Sequence, residues 1–540
     1  MSAITLNPPL VLPYERAKSS NFMLWATALT VTLATFMELL DTSIANVALP
    51  HIAGGLGVSQ DESTWVLSSY LVANAVVLPL SAWLSRVFGR KNYYMACVAL
   101  FTIASLLCGM APSLGWLIFF RVLQGIGGGG LAPCEQAILV DTFPPAKRAT
   151  AFAVYSIAIV AAPAIGPTFG GWLTDTFSWR WCFLINLPVG IISLLLTSRL
   201  VHDPVAFTHE RAEARKAGKL KIDYIGILLV AIAFGCLEYV LDKGQEDDWF
   251  GSQLILTMSI IAAIALIVGI AWEIWGTKDP VVAIQLMKDR NFFIACCLYF
   301  LFGFTLFGST VLLPQMVQQL FGYTAMDAGL VVTPGAIVVM CMVPVAVRIM
   351  KITGPRILLG SGFVIIAGSM WMLHHLSLDA DYRSIVICRM VQGLGISTLF
   401  VPTSTIAYSY LPKNANNKAS SLTNLFRNVG GSAGIAFCTT MLQRQGQRHQ
   451  NFLSANFSSL SQNAIDGQAA LMHKLQSYGE STYDSARVAT GLMYRTLQAH
   501  AQMLAYVDVY AIMFGLCLLV PVVLIFVKPI KAGGAPAGAH

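Results

Sequence analysis

Fourteen stretches of about 20 mostly apolar residues follow one another along this chain, each long enough to cross a bilayer. They lie near 22–44, 65–84, 92–111, 115–139, 149–172, 181–199, 223–241, 253–275, 291–312, 327–349, 357–376, 384–408, 420–441 and 506–527. Inside hydrocarbon every backbone polar group needs an internal partner, so such stretches fold as helices. The predicted fold class is therefore an all-α polytopic membrane protein. Composition agrees: 56% of residues are hydrophobic and 11% charged, where a soluble chain carries about 25% charged residues.

Charge placement orients the helices. With both termini on the cytoplasmic side, nineteen Lys and Arg fall in the short inner loops. Only Arg180, Lys243 and Arg383 fall in the short outer ones. That is the bias expected of a membrane protein. The net charge of +7 is spread over these loops with no basic face, so a nucleic-acid partner is not expected. The eleven cysteines lie in or beside apolar runs without a CxxC, which reads as packing, with no disulfide and no metal expected. The first apolar run lacks a small-residue cleavage site after it and is expected to stay as a span.

An internal repeat organises the chain. "RVLQGIG" at 121–127 returns as "RMVQGLG" at 389–395, an offset of 268 residues. The predicted plan is 6+2+6. A cytoplasmic segment (1–21) precedes a first six-helix bundle (22–199), a linker (200–222) and two additional helices (223–275). A second bundle (291–527) includes a polar outer segment (442–505), and a tail (528–540) follows. Two similar halves around a central site are the architecture of a secondary transporter. The segment 442–505 reads either as a solvated loop or as a docking surface for a periplasmic partner, with 468–503 a candidate amphipathic helix.

Within the spans a few residues stand out by their cost. Glu38 and Asp41, in "MELLDTSIANVALP", each carry about 2.5–3.5 kcal/mol of insertion penalty at a helix centre. At i and i+3 they share a helix face, which is expected to look into a central cavity. Glu38 has three open readings: a second proton site, a contact for cationic ligands, or a polar cavity wall. Arg121 sits inside "WLIFFRVLQGIGGGG" and must find acceptors. It is either a structural clamp or a charge that tunes a proton site. Arg389 is its repeat mate and Arg427 the third intramembrane arginine. Glu135 is a further candidate acid, while Glu238 and Glu273 are expected near span ends, Asp327 at an outer mouth, and His374 and His375 at an interface.

"GIGGGG" at 125–130 matches GxGxxG, but it follows a membrane span rather than a strand, which excludes a dinucleotide site; small residues there let helices approach. "AAPAIGPTFGGW" (161–172) puts Pro163, Gly166, Pro167, Gly170 and Gly171 in the fifth span, a candidate hinge or seal between halves. The short loop 82–91, with Arg86, Gly89, Arg90 and Lys91, joins spans two and three. No P-loop, catalytic triad or metal cluster is present, so an enzyme is not expected and transport must draw on a gradient.

These motifs resemble the fourteen-span drug:proton antiporters of the major facilitator superfamily. "LDTSIANVALPHI", "RVLQGIGGGG", "GPTFGG" and "WRWCFLINLPVG" carry the likeness, which extends over nearly the whole chain. It implies proton-coupled export of lipophilic and amphipathic drugs by alternating access, driven by the proton gradient with no cofactor. It places Asp41 and Asn46 in the span-one motif, Arg121 and Gln124 in the span-four motif, and Gly166, Pro167, Gly170 and Gly171 in the antiporter motif. Taking these motif positions together with Glu38 and Glu135, which the spans alone single out and the family motifs do not, proton coupling is expected at Asp41, Arg121, Glu38 and Glu135, and the substrate cavity at Asn46, Gln124 and Glu38. The implied setting is the bacterial inner membrane, with a periplasmic membrane-fusion adaptor and an outer-membrane channel as partners. One departure is clear: the family's acid in the loop 82–91 is Arg86 here, and its first glycine is Ala82. A dedicated exporter of one metabolite or siderophore is the alternative.

Overall fold

The computed structural model describes residues 21–203, 208, 223–277, 282–409, 411, 415–456, 462–478 and 481–527. The expected tail, most of the linker 200–222, and all but the last residue of the N-terminal segment lie outside the described residues. Those described are helical throughout their regular structure, with no strand among them.

The first half opens with α1 (Asn21–Leu56), the short α2 (Gln60–Ser63), α3 (Trp65–Phe88) and α4 (Arg90–Gly109). It continues with α5 (Leu114–Gly128), α6 (Leu131–Thr142), α7 (Pro145–Thr176), α8 (Trp181–Leu184) and α9 (Asn186–Leu200). Two further helices follow, α10 (Tyr224–Lys243) and α11 (Gln253–Ala271). The second half contains α12 (Arg290–Phe321), α13 (Ala325–Thr353), α14 (Pro355–His374), α15 (Tyr382–Ile396) and α16 (Phe400–Tyr408). It ends with α17 (Asn416–Asn456), α18 (Gln462–Ser477) and α19 (Thr482–Leu524).

The repeat is visible in these boundaries. α5 and α15 both have 15 residues and sit 268 positions apart at each end. Each is followed by a break and a second helix, Gly129–Gly130 in the first half and Ser397–Leu399 in the second, so the fourth span of both halves is interrupted just after the repeated motif. α1 packs along α7, and α12 packs along α17 in the same way. The two largest contacts between the halves are α7 with α13 and α3 with α17, and the repeat exchanges one for the other; α6 with α17 and α7 with α16 add to them. α10 lies against both α3 and α17. The additional pair therefore covers the seam on one side.

Among the described residues twelve helices are long and apolar enough to cross a membrane. A thirteenth joins them if the pair Lys147–Pro163 and Ile165–Thr176, bent by 44°, is one span. Pro163 and Pro167 account for the bend, since each removes a backbone donor and crowds the preceding turn. The span expected at 420–441 lies within α17, which does not join that set. Its first turns bury Ser420, Ser421, Thr423, Asn424 and Arg427, because they face protein rather than lipid.

The segment 442–505 differs from a loop. α17 has 41 residues and α19 has 43, about 60 Å each at 1.5 Å per residue, twice the hydrocarbon thickness of about 30 Å. Both helices continue past the bilayer and α18 packs on α19. Gln450 donates to the Tyr494 hydroxyl at 3.1 Å and Gln468 to Thr490 at 2.8 Å, tying the extension together.

Helix starts at this outer end are written in the sequence. Ser59 and Glu62 bond reciprocally, as do Thr324 and Asp327, the capping box of Ser/Thr followed three residues on by an acid. Asp327 is thus the start of α13 rather than an isolated charge.

Candidate functional site

Asp41 and Arg121 meet inside the first bundle. Arg121 Nη1 donates to Asp41 Oδ2 at 2.5 Å, with both side chains fully buried. Asp41 Oδ1 accepts from Gln124 Nε2 at 3.0 Å and from Asn186 Nδ2 at 2.7 Å. Arg121 also donates to Gln124 Oε1 at 2.8 Å and to the Val66 carbonyl at 2.9 Å. The Tyr70 ring lies 4.4 Å from its guanidinium and the Phe183 ring 5.5 Å. Four helices, α1, α3, α5 and α9, thus converge on one charge pair. A buried ion pair holds only when its remaining valences are met, and here amides and a carbonyl meet most of them.

The expectation that Asp41 looks into a central cavity is not what the geometry shows. Its carboxylate points into the first bundle, toward α5 and α9. Gln124, expected in the substrate cavity, is wholly buried against the same pair. Residues three apart on a helix differ by about 60° in direction, enough to send Glu38 elsewhere. Glu38 turns to α3, where its Oε1 accepts from Asn74 Nδ2 at 3.0 Å and from Tyr70 at 3.3 Å. Asn46 is exposed, two turns outward of Glu38.

Glu135 is fully buried on α6 and its Oε1 accepts from Thr32 of α1 at 2.5 Å. The second carboxyl oxygens of both Glu38 and Glu135 have no hydrogen-bond partner. No cation bonds either acid.

The glycine run earns its composition here. A methyl group on Gly125 would meet the Tyr70 carbonyl at 2.5 Å, and one on Gly127 the Phe101 amide at 2.7 Å. On Gly128 it would fall 2.6 Å from the Tyr70 hydroxyl and 3.4 Å from Glu38 Oε1. The run lets α5 sink between α3 and α4, and Gly128 keeps the space beside the Glu38 carboxylate.

The antiporter motif packs chiefly within its own half. A Cβ on Gly166 would sit 2.3 Å from Ser43 Oγ, and one on Gly170 3.1 Å from Ile44, both on α1, whereas Gly171 has nothing within 4 Å. Pro167 has no N–H for the Pro163 carbonyl, and Ser43 Oγ supplies the missing bond at 3.2 Å. Across the seam, Thr168 faces Gly329 of α13.

Loop 82–91 turns at Gly89, whose φ of +89° favours glycine. Arg90 pairs with Asp141 at the end of α6 and donates to the Ala137 carbonyl at 3.2 Å. Lys91 holds Asp203 through its backbone N–H at 2.9 Å and the Ser198 carbonyl through Nζ at 2.6 Å. Asp141 in turn accepts from Asn416 of α17 at 2.8 Å, so a loop-to-helix charge link exists without the family's acid.

Side-chain hydrogen bonds between the halves run from this basic end up to Arg427. Ser81 meets Ser421 at 2.8 Å, Ser420 donates to the Pro133 carbonyl at 2.9 Å, and Gln136 donates to Asn424 at 3.3 Å. Tyr155 bonds Asn424 at 3.3 Å and accepts from Arg427 Nη1 at 2.9 Å. Tyr408 reaches Gln136 at 3.5 Å.

Several of these groups escaped sequence reasoning: Asn74, Asn186, Gln136 and Asn424, and the hydroxyls of Thr32, Tyr70 and Tyr155. The signal was present, since a lone amide in an apolar run is as unexpected as a charge. Glu238, expected near a span end, is buried and accepts from Ser432 of α17. Among the described residues no cluster of His, Cys, Asp and Glu is arranged to hold a metal.

Comparison with known proteins adds to this geometry. The Major Facilitator Superfamily profile matches residues 31–435. The chain is 35% identical over 512 residues to the "Multidrug export protein EmrB" of Escherichia coli (strain K12), covering 94% of this chain and 96% of that protein. It is 34% identical over 519 residues to the "Fatty acid resistance protein FarB" of Neisseria gonorrhoeae, covering 96% and 98%. In fold it is similar to the proton:xylose symporter XylE, with a TM-score of 0.57 at 14% identity, covering 95% of this chain and 98% of that one. A bacterial homologue of the lysosomal transporter Spinster superposes with a TM-score of 0.53 at 17% identity, covering 96% and 100%.

Proposed function

The chain belongs to the Major Facilitator Superfamily, a family of membrane transporters, and we propose that it exports lipophilic and amphipathic drugs in exchange for protons by alternating access. The export direction and drug class rest on the similarity to EmrB proteins. The observation that carries proton coupling is the set of three carboxylates, Glu38, Asp41 and Glu135, buried in the first half. A protein that only scaffolds gains nothing from that cost.

The cycle follows from the seam. The basic end, cytoplasmic by the charge rule, is closed by the bonds from Asp141–Asn416 up to Arg427–Tyr155, while Asn46 is exposed toward the other end. This corresponds to a state open to the outside, from which protons enter. Opening to the cytoplasm requires those bonds to break as the α7–α13 and α3–α17 crossings pivot. One proton moved through 100 mV supplies about 2.3 kcal/mol, or roughly a fifty-fold drug gradient at about 1.4 kcal/mol per decade.

We place the protein in the bacterial inner membrane as part of a tripartite system with a periplasmic adaptor and an outer-membrane channel. The helices described within 442–505 support that reading, since α17 and α19 are each about twice as long as a bilayer's hydrocarbon core is thick.

The test is transport by purified protein in vesicles under an imposed pH gradient, with a panel including ethidium and a long-chain fatty acid. Uptake of several unrelated compounds with counterflow of protons is expected. Uptake that ignores the pH gradient defeats the proton reading, and transport of one compound alone defeats the multidrug reading.

A further inference from the structure

The three buried acids of the first half are not equivalent. Asp41 is committed: three donors hold it, one of them the fully buried guanidinium of Arg121. Protonating it would leave that guanidinium unpaired in a low-dielectric site, the costly half of a broken ion pair. Glu38 and Glu135 are each held through one oxygen by neutral donors, and each leaves its other oxygen unbonded. A buried carboxylate without a cation or a full set of donors is the form burial disfavours, whereas the neutral acid suits such a site.

Their positions form a series. On α1, Thr32, which holds Glu135, lies six residues toward the basic end from Glu38, about 9 Å along the axis. Glu38 therefore stands near the middle of the span and Glu135 one step nearer the cytoplasmic side.

The cation nearest to serving both comes from the other half. Arg427 of α17 lies one turn beyond Asn424, which accepts from Gln136, the neighbour of Glu135, and its own hydrogen bonds go to Tyr155 and Asn428. The other titratable or charged groups around the two acids are Asp41 and Arg121, already paired, the hydroxyls of Tyr70, Tyr94 and Tyr155, and the Cys97 thiol. None of these is a free cation.

We propose that Glu38 and Glu135, rather than Asp41, carry the coupled protons, and that Arg427 is their counter-charge, parked on Tyr155 while the acids are protonated. This rests on the antiport reading above. When a proton leaves toward the cytoplasm, the new carboxylate draws Arg427 from Tyr155, exchanging a neutral hydrogen bond across the seam for an ion pair across it, so the deprotonated acids hold this end closed and the protonated acids release it. Protonation and the contact between halves are then one equilibrium, which is the linkage an antiporter requires. Gly128 is a positioning residue, keeping room beside the Glu38 carboxylate for the arriving guanidinium.

Infrared difference spectra of the full-length protein between acid and alkaline pH test the assignment without any drug. With Glu238 and Glu273 of the additional pair, which are also buried, replaced by Gln throughout, the high-frequency C=O band of a carboxylic acid in an apolar site is expected in the otherwise unaltered protein. It is expected to persist in the charge-balanced double variant Asp41→Asn/Arg121→Gln and in Glu38→Asp, and to be lost in Glu38→Gln/Glu135→Gln. A titrating band that survives in the last variant, or vanishes in the Asp41/Arg121 double variant, overturns the assignment. Arg427→Gln is expected to keep the band and to retain ethidium–ethidium exchange in vesicles, but to lose pH-driven ethidium accumulation. Accumulation equal to that of the unaltered protein overturns the counter-charge role. If the unaltered protein accumulates nothing under a pH gradient, the antiport reading falls, and the infrared band still decides which acids titrate.

Discussion

Ser309 stands in the second half where Asp41 stands in the first. Gln124 donates to Asp41 at 3.0 Å, and 268 residues later Gln392 donates to Ser309 at 2.7 Å. Arg121 and Arg389 occupy matching places, and each bonds its own glutamine. The framework of arginine, glutamine and a first-helix acceptor is thus built twice, but only the first copy has a carboxylate. The two halves share a scaffold and divide the charge chemistry.

The ion pair is expected to matter more for folding than its serine counterpart. Asp41→Asn leaves Arg121 buried without its counter-charge and is expected to cost about 3–5 kcal/mol. Ser309→Ala removes one hydrogen bond and is expected to cost about 1 kcal/mol. Thermal unfolding of the detergent-solubilised variants ranks them, and an equal loss would show that the pair adds nothing beyond a polar contact.

The glycines of the two motifs are expected to separate sharply. Gly128→Ala pushes on Tyr70 beside Glu38, and Gly166→Ala on Ser43, so both are expected to reduce drug resistance in cells at normal expression. Gly171→Ala meets nothing within 4 Å and is expected to be silent. Resistance lost equally at all three positions would mean that packing is not what the motif supplies.

Asn424→Ala removes the acceptor shared by Gln136 and Tyr155 across the seam. Each lost bond is expected to destabilise the closed basic end by about 0.5–1.5 kcal/mol. Hydrogen exchange over 131–142 reads this directly and is expected to quicken, whereas unchanged protection there would place the seal elsewhere.

Two carboxylates at the outer end give a pH signature. Glu62 is held below the usual carboxylate range by bonds from the Ser59 backbone and hydroxyl, and Asp381 by bonds from the Ser384 hydroxyl and backbone. Because both are lowered, their capping is complete at neutral pH and is lost as pH falls through those depressed values. Amide exchange at Ser59 and Ser384, relative to intrinsic rates, is expected to rise only on such acidification. Glu62→Gln and Asp381→Asn are expected to show the faster exchange already at neutral pH.

Much of the architecture was legible in one dimension. Apolar runs of bilayer length and the return of "RVLQGIG" as "RMVQGLG" marked the helices and the repeated fourth span, because each is a local property or a fixed offset. Capping boxes such as Ser59–Glu62 were readable for the same reason. The anomalous residues Glu38, Asp41, Arg121 and Glu135 announced themselves by what they cost in lipid.

What the chain alone left open is which neighbour each anomaly meets. Glu38 and Asp41 lie three residues apart, and a turn of about 60° sends one to Asn74 and the other to Arg121, Gln124 and Asn186. Arg427 gains its place on Tyr155 only when α17 of the second half closes on the first. The sequence by itself determined that charges are buried, since burial follows from the span around them. Only the tertiary structure decided which charge is paired and which is left to titrate, since pairing depends on side chains brought together across helices that sequence spacing does not relate.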